Sequence, residues 1–279
     1  MLEPVPGEPA AVADCGPERA LVVADYHAGL EVGLRSEGVE IRSHAEERRE
    51  HLLELLATTG ADRVVFLGDL GDGIGEPTGA ERVELRELLS AVTDRVPVTV
   101  TKGNHDGDLS AVTDRFAGVE LADGPGTRVG DVGFCHGHTW PDEAVLAAPT
   151  VCTAHEHPQV ALEDAVGGRR TERAWLRGRL DSEAFDHDYD RVGDRLVVCP
   201  AFNDLSGGTR VNEADEFLSP FLPAGLDGGE AYLLDGTRLG PTAAVRPPGT
   251  APAGCRPAGT PRRRPAPPAG TATGSRRPR

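Results

Sequence analysis

Short runs of apolar, largely β-branched residues recur along the first part of the chain, and polar or glycine-rich residues follow each run. The runs lie at 21–24, 64–67, 98–101, 132–135 and 150–154. Runs that are apolar at every position, rather than at alternate positions, are typical of strands covered on both faces of a sheet. The pattern therefore predicts five buried strands with polar residues at their ends.

Between the early runs, apolar positions recur at helical spacing. Ser43 with Glu46 precedes a leucine-rich segment, and Thr78 with Glu81 precedes another; a Ser or Thr followed three residues later by Glu is a common helix start. Alternating strands and helices predict right-handed crossovers, with ligands at the carboxyl ends of parallel strands. After about residue 120 short strands dominate. The expected fold class is α/β: a four-layer α/β/β/α sandwich of two mixed sheets flanked by helices.

Seven side chains that bind hard or borderline metal ions follow directly after these strands. They are Asp25, His27, Asp69, Asn104, His136, His155 and His157. Because ligands gather at the carboxyl ends of such strands, we expect these side chains to lie close together. A carboxylate has two oxygens and can bridge two cations, and neutral imidazoles bind manganese, iron and zinc. The order of the residues therefore indicates a two-metal hydrolase.

Each motif alone has a plainer interpretation. Asp25 with His27 is also typical of a surface turn, and a single histidine is more often a buried side chain with backbone hydrogen bonds. The most specific element is Gly-Asn-His-Asp at 103–106. The amide oxygen of Asn104 can complete a coordination shell without adding charge. His105 is then left to face a substrate.

In this order, the motifs Asp-x-His, Gly-Asp-x-x-Asp, Gly-Asn-His-Asp, His-Gly and His-x-His resemble those of the calcineurin-like metallophosphoesterases. The resemblance spans residues 21–239. His-Glu-His-Pro at 155–158, Pro-Ala-Phe-Asn at 200–203 and the glycine pair at 207–208 are similar to the archaeal phosphoesterase branch, which is related to bacterial ligase-associated DNA-damage-response endonucleases. One position departs from the family: Ala154 stands where glycine is usual, and we expect a modest backbone adjustment there.

The resemblance implies a role for each motif residue. One metal would be held by Asp25, His27, Asp69 and His157. The other metal would be held by Asp69, Asn104, His136 and His155. His105 would be the catalytic histidine near the leaving group, with Asp72 as the carboxylate that orients it and Asp106 as a second candidate for that role. The cofactors would be two divalent metal ions, with manganese favoured and iron or zinc as alternatives.

The implied activity is hydrolysis of a phosphoester bond by a metal-activated hydroxide. The favoured function is a phosphodiesterase or nuclease associated with DNA repair; the alternatives are a phosphomonoesterase acting on a small metabolite and a non-catalytic metal-binding scaffold. The presence of every ligand type together with His105 and Asp72 argues against the scaffold. Five arginines between residues 169 and 179 form either a solvated strand edge or phosphate contacts for DNA. The sequence identifies neither the substrate-binding residues nor the oligomeric state.

The chain is acidic, and its charge is unevenly distributed. It has 45 Asp and Glu residues against 29 Lys and Arg, with Lys102 as the single lysine. Residues 241–279 hold eight arginines, ten prolines and no acidic residue, a composition that predicts disorder. We therefore divide the chain into an N-terminal extension at 1–19, a metallophosphoesterase domain at 20–240 and a disordered tail at 241–279. With no long apolar stretch and no signal-like leader in the sequence, we expect a cytoplasmic protein without a membrane partner.

The charge distribution predicts a response to salt. Upstream of residue 241 the chain has 21 basic and 45 acidic residues, a net charge of −24, and such a domain repels itself at low ionic strength. Because the Debye length falls to about 3 Å in molar salt, we expect the melting temperature to rise from dilute buffer to molar potassium chloride, as in a protein of a high-salt-adapted organism. Thermal scans across this salt range measure the effect; greatest stability in dilute buffer would contradict it.

Overall fold

The computed structural model describes residues 1–164, 166–185 and 189–245. Its helices are α1 (Leu30–Ser36), α2 (Ala45–Thr59), α3 (Gly79–Thr93), α4 (Ser110–Thr113) and α5 (Glu143–Leu146). Its strands are β1 (Leu2–Pro4), β2 (Ala10–Asp14), β3 (Arg19–Val23), β4 (Arg63–Leu67), β5 (Val98–Thr101), β6 (Val119–Ala122), β7 (Thr127–Val129), β8 (Val132–Phe134), β9 (Thr150–Thr153), β10 (Gln159–Glu163), β11 (Arg169–Leu180), β12 (Arg195–Val198), β13 (Leu226–Leu233) and β14 (Arg238–Pro241). Residues 246–279, most of the expected tail, lie outside the described residues.

Two mixed sheets form the centre of the fold. Over the described residues, the first sheet has six strands in the order β1-β2-β3-β4-β5-β6. Strands β3 to β6 are parallel, whereas β1, β2 and β3 pair antiparallel. Because β1 and β2 precede residue 20, this sheet begins at Leu2. Helices α2 and α3 connect the parallel strands, as the helix-start signals indicated.

The second sheet, counted over the same residues, has eight strands in the order β14-β13-β11-β12-β9-β8-β7, with β10 paired to β11 outside this path. Strand β9 runs parallel to both β8 and β12. The five strands expected from the apolar runs are β3, β4, β5, β8 and β9. The two sheets meet beyond the end of β3, where Ala24 forms a parallel bridge with Ala201.

Alternate residues of the central strands face different apolar layers. In β4, Val64 and Phe66 pack with residues of α2 and α3, whereas Val65 and Leu67 face the second sheet. A third apolar layer, which includes Leu176 of β11, covers the far side of the second sheet. Three apolar layers separate four layers of structure, so the expected sandwich is confirmed. On its outer side the second sheet is covered by the one-turn helix α5 and by loops. Among the described residues, no helix has both the length and the hydropathy of a membrane span.

The helix starts are close to the expected positions, but their capping bonds differ from the expected ones. Thr78 directly precedes α3, and its side chain makes no capping hydrogen bond. Glu81 instead accepts hydrogen bonds from the backbone N–H groups of Asp72 and Gly73. Glu81 therefore supports the loop that follows β4 rather than the first turn of its own helix.

A buried ion network ties three helices to the loop after β3. Arg48 of α2 donates to Glu31 of α1 at 3.2 Å and to Glu84 of α3 at 2.7 Å. Glu84 also accepts from the backbone N–H of Gly29 at 2.9 Å. The Arg48 guanidinium lies 5.3 Å from the ring centroid of Tyr26. All three charged side chains are buried, so each depends on the others for compensation.

Replacing Arg48 with methionine removes the cation that pairs with both Glu31 and Glu84 and leaves these buried carboxylates without that ion pair. We expect the free energy of unfolding to fall by about 3–5 kcal/mol, as measured by urea denaturation in molar salt. The control is Arg42→Met, because the Arg42–Glu47 pair is exposed and such pairs contribute about 0–1 kcal/mol. Equal losses in the two variants would contradict a structural role for the buried network.

Candidate metal centre

The expected ligands converge where the two sheets meet. Asp25 and His27 follow β3, Asp69 follows β4, Asn104 follows β5, His136 follows β8, and His155 and His157 follow β9. Among the residues that the structure describes, donor atoms within 4.8 Å of one another form three groups: Asp25, His27 and His157; Asp69, His136 and His155; and His27, Asp72 and His105. Residues up to 132 positions apart in sequence thus occupy one site.

The first half of the site contains the four residues expected around one metal. His157 Nε2 lies 3.2 Å from Asp25 Oδ1 and 3.4 Å from His27 Nε2. Asp69 Oδ2 lies 4.0 Å from His27 Nε2. Donor atoms of Asp25, His27 and His157 therefore lie around a common point, and Asp69 lies slightly farther away.

The second half of the site contains the other expected set. His136 Nε2 lies 3.3 Å from Asp69 Oδ2 and 3.2 Å from Asn104 Oδ1. The rings of His136 and His155 are 4.9 Å apart at their centroids. The backbone φ of Ala154 is not positive, and its N–H donates to the His136 carbonyl at 2.8 Å. Alanine therefore fits this position, and His155 joins the site.

Five of the seven expected ligands adopt left-handed backbone conformations. Their φ angles are 52° at Asp25, 48° at His27, 45° at Asp69, 69° at His155 and 43° at His157. A non-glycine residue in this region costs on the order of 1–3 kcal/mol and is maintained only by surrounding contacts. Such contacts include the bond from His27 N–H to the Asp69 carbonyl at 2.9 Å. Neighbouring Gly68 permits close packing, since a Cβ there would lie 2.4 Å from the His136 ring.

The carboxylate of Asp25 tests whether a cation fits this site. The side chain is 0% exposed, and neither of its oxygens has a hydrogen-bond partner among the described residues. A buried carboxylate without such partners is costly unless a positive charge compensates it. Nearby imidazoles or a bound cation can supply that charge, so the site suits a divalent metal ion.

The outer nitrogens of two histidines support the same conclusion. His136 Nδ1 lies 2.9 Å from the Leu67 carbonyl oxygen, and His157 Nδ1 lies 2.7 Å from the Gly207 carbonyl oxygen. His27 Nδ1 lies 3.2 Å from Asp72 Oδ1 in an ion-pair contact that lacks hydrogen-bond geometry. An acceptor at Nδ1 keeps the hydrogen there and leaves the Nε2 lone pair for a metal, which is the usual arrangement of metal-binding histidines.

The neighbouring charges shift the pKa values of these groups. Burial acts to lower the pKa of His136 and of His157, but the carboxylates of Asp69 and Asp25 outweigh burial and raise each pKa to about 9. Burial, followed by the charge of His136, lowers the pKa of His155 to about 4. Burial raises the pKa of Asp69, but its hydrogen bond and charge interaction with His136 hold that pKa below its ordinary value. Without a cation, protonated imidazoles therefore balance the carboxylates.

The partner of His105 differs from the expected one. His105 Nδ1 is hydrogen-bonded to the backbone carbonyl of Asp72, whereas the Asp72 carboxylate lies beside His27. The expected orientation of His105 by the Asp72 carboxylate is thus corrected to orientation by its main chain. Asp106, the second candidate, accepts hydrogen bonds from the backbone N–H groups of Leu70, Gly71 and Gly103. Asp106 therefore fastens two ligand loops together, because its side chain lies between them.

The segment Pro-Ala-Phe-Asn at 200–203 carries part of the family resemblance, but its sequence does not indicate what it contacts. The structure shows these contacts. The side-chain amide of Asn203 donates to the carbonyls of Tyr26 and His27 at 3.1 and 3.3 Å. Arg173 donates to the carbonyls of Ala201 and Phe202. It therefore supports this segment and is not part of a solvated face. Two other arginines of β11, at 169 and 170, form exposed pairs with carboxylates.

Comparisons with known proteins identify the class. Residues 18–211 match the family model described as calcineurin-like phosphoesterase. The chain is similar to the nuclease MPE of Pseudomonas putida, with 17% identity, 86% of this chain and 100% of that chain covered, and a TM-score of 0.49. It is also similar to Yfce, a phosphoesterase from E. coli, with 20% identity, 52% of this chain and 74% of that chain covered, and a TM-score of 0.32. A search of curated proteins gave no match.

The family match spans more than half of the chain and includes all seven expected ligands. The chain therefore belongs to the calcineurin-like phosphoesterase family. It is a metal-dependent phosphoesterase, a hydrolase that acts on phosphoester bonds. This confirms the class of enzyme that the motifs indicated.

The pKa values of His136 and His157 predict how metal uptake depends on pH. A cation must displace the protons from both rings, since only the neutral imidazole binds a metal. Below a pKa of about 9 both rings are largely protonated in the ion-free protein. We therefore expect the apparent Mn²⁺ affinity to rise between about pH 6.5 and 8.5, by roughly tenfold per pH unit for each proton displaced. Calorimetric titration in buffers of different ionisation enthalpy measures both quantities, and a pH-independent affinity would contradict the assignment.

Proposed function

We propose that the protein hydrolyses phosphodiester bonds, with nucleic acid as its substrate class, and that two divalent metal ions serve this reaction. The position of Asp69 carries the proposal. Its Oδ2 atom lies 3.3 Å from His136 Nε2 and 4.0 Å from His27 Nε2, so one carboxylate has donors of both half-sites beside it. Such a carboxylate is suited to bridge two cations.

The donor chemistry supports manganese as the favoured metal, with iron or zinc as alternatives. The chain offers four imidazoles, two carboxylates and one amide oxygen at the site. Mixed nitrogen and oxygen donors suit these metals better than calcium or magnesium, which prefer oxygen alone. Among the described side chains at the site, Asp25, Asp69 and the neighbouring Asp72 bring negative charge. Four positive charges from two divalent ions would exceed that charge, so the loaded site would attract an anionic phosphate even in an acidic protein.

Divalent cations in this site would neutralise charge on a phosphoryl group and lower the pKa of a water molecule. The chain's own residues position the remaining chemistry. The ring of His105 lies 5.3 Å from the ring of His27 in an edge-to-face arrangement. Because the Asp72 carbonyl holds Nδ1 of His105, Nε2 is the nitrogen that can donate a proton to the leaving oxygen. His105 therefore serves as the general acid of the proposed reaction.

A role in DNA repair is the setting that the sequence resemblance favours. The acidic composition supports work at high salt, where nucleic acid is repelled less by the protein surface. A phosphomonoesterase would use the same metal ligands and would differ in the walls of its pocket. The substrate therefore has to be tested directly.

The experiment offers a bis-aryl phosphate, a mono-aryl phosphate and single-stranded DNA side by side to the purified protein, in molar salt with Mn²⁺. We expect hydrolysis of the diester and of DNA, and we expect a chelator to abolish it. His105→Ala should keep both metal ions and lower turnover by roughly 10²–10⁴-fold, because it removes a proton donor and no ligand. Asp69→Ala should lose the metal ions. Metal content by mass spectrometry and initial rates are the two measurements.

The outcomes separate the alternatives. Hydrolysis of the mono-aryl phosphate alone would favour the phosphomonoesterase. Two bound metal ions without hydrolysis of any substrate would identify a scaffold. Loss of metal from His105→Ala would contradict the ligand assignment, and a wild-type protein that takes up no divalent ion would overturn the proposed function.

A further inference from the structure

Glu156 lies in the sequence between His155 and His157, two of the expected metal ligands. The proposed hydrolysis assigns no role to its side chain. The side chain is 0% exposed. Its Oε2 accepts a hydrogen bond from the Thr209 hydroxyl at 2.8 Å, and its Oε1 accepts from the Ser219 backbone N–H at 2.7 Å. Both carboxylate oxygens thus bond to one distant segment, residues 207–219. The turn formed by His155, Glu156 and His157 is fastened to that segment by its central side chain.

The same segment also contacts the turn through the backbone. The Thr209 N–H donates to the Glu156 carbonyl at 2.9 Å. The Gly207 carbonyl lies 2.7 Å from His157 Nδ1. Gly208 allows this approach, since a Cβ there would lie 2.0 Å from the His157 carbonyl oxygen. Residues 207–209 and the turn therefore form one hydrogen-bonded unit. In this unit His157 Nδ1 is bonded to the Gly207 carbonyl, which leaves Nε2 for a metal ion.

The backbone of the turn requires such support. His155 and His157 adopt φ angles of 69° and 43°, which non-glycine residues rarely adopt. This conformation directs both imidazoles towards Asp25 and Asp69, as the short distances at the two half-sites show. If the support were lost, the turn would relax to a commoner conformation and the rings would leave the site.

We propose that Glu156 is a positioning residue that clamps the His155–His157 turn onto residues 207–219 and so holds both imidazoles in metal-binding geometry. This inference rests on the proposed metal site. Asn203 makes the corresponding contact on the first sheet, through the carbonyls of Tyr26 and His27. The connection between β12 and β13 therefore contacts expected ligand loops of both sheets, and the Glu156 side chain is one of its attachments to the His155–His157 turn.

The test compares three variants of the full-length protein by Mn²⁺ affinity and by the melting temperature of the metal-free form. Glu156→Ala should lower the affinity by roughly 10–100-fold, the range seen when an outer-shell partner of a metal ligand is lost. Glu156→Gln should stay within about threefold of wild type, because its amide still accepts from Ser219 and can donate to Thr209. Rescue by glutamine would show that the hydrogen bonds, rather than the charge, hold the turn.

The matched control is Asn212→Ala. Asn212 is also buried in residues 207–219, but its amide bonds to the backbone of Ala161 at 2.8 and 3.0 Å and to the Val245 carbonyl at 2.9 Å, and among the described residues it bonds to no ligand loop. We expect a lower melting temperature and an unchanged Mn²⁺ affinity. An equal loss of affinity in Asn212→Ala and Glu156→Ala would show a merely structural effect and would overturn the proposal.

A second variant keeps the inference testable if Glu156→Ala does not fold. Thr209→Val removes one donor to Glu156 without changing shape, and we expect its Mn²⁺ affinity to fall by roughly three- to tenfold. Wild-type affinity in Thr209→Val, or in a folded Glu156→Ala, would overturn the positioning role. A wild-type protein that binds no Mn²⁺ would instead overturn the proposed function, so the two failures are distinguishable.

Discussion

Asp25 carries its carboxylate in a fully buried position, 3.6 Å from His136 Nδ1 and 3.2 Å from His157 Nε2. A charge held in so small a space must be balanced by an opposite charge, because water cannot reach it. In the ion-free protein, protonated imidazoles balance this charge. The carboxylates of Asp69 and Asp25 raise the pKa of His136, and the carboxylate of Asp25 raises the pKa of His157. A divalent cation satisfies the same requirement. Metal binding and protonation are therefore alternative solutions to a single electrostatic constraint.

Bringing these groups together requires unfavourable backbone conformations. Left-handed conformations at five expected ligands are each unfavourable, and their presence after β3, β4 and β9 means that the surrounding contacts maintain them. Asp106 supplies part of this support, since its carboxylate accepts from three backbone N–H groups of two ligand loops. Burial raises the pKa of this carboxyl group, while the three donors act in the opposite direction. Strain at the ligands is thus offset by hydrogen bonds that lie just outside them.

The two sheets contribute differently to the site. The first sheet provides parallel strands whose loops carry Asp25, Asp69 and Asn104, and the ion network around Arg48 fixes the helices against the first of these loops. The second sheet provides histidines, and the long connection after β12 reaches across to both groups. Because the site lies between the sheets, it forms only when both have folded and packed.

Local sequence determined five of the strands, β3, β4, β5, β8 and β9, together with the order of the expected ligands and the family, because uninterrupted apolar runs indicate burial on both faces and the ligand motifs follow directly after them. It also determined the chemistry of the seven expected donors, because the residue type fixes which donor atom each side chain offers. Only the tertiary structure decided that the Asp72 carbonyl, and not its carboxylate, bonds to His105. It also decided that Glu81 bonds to the loop after β4 instead of capping α3. The bonding partners of Asn203 and Glu156 likewise depend on tertiary packing. Asn203 and Tyr26 are 177 residues apart, and Glu156 and Ser219 are 63 apart. Periodicity shows which side of an element is buried, but the partner on that side depends on how distant segments pack.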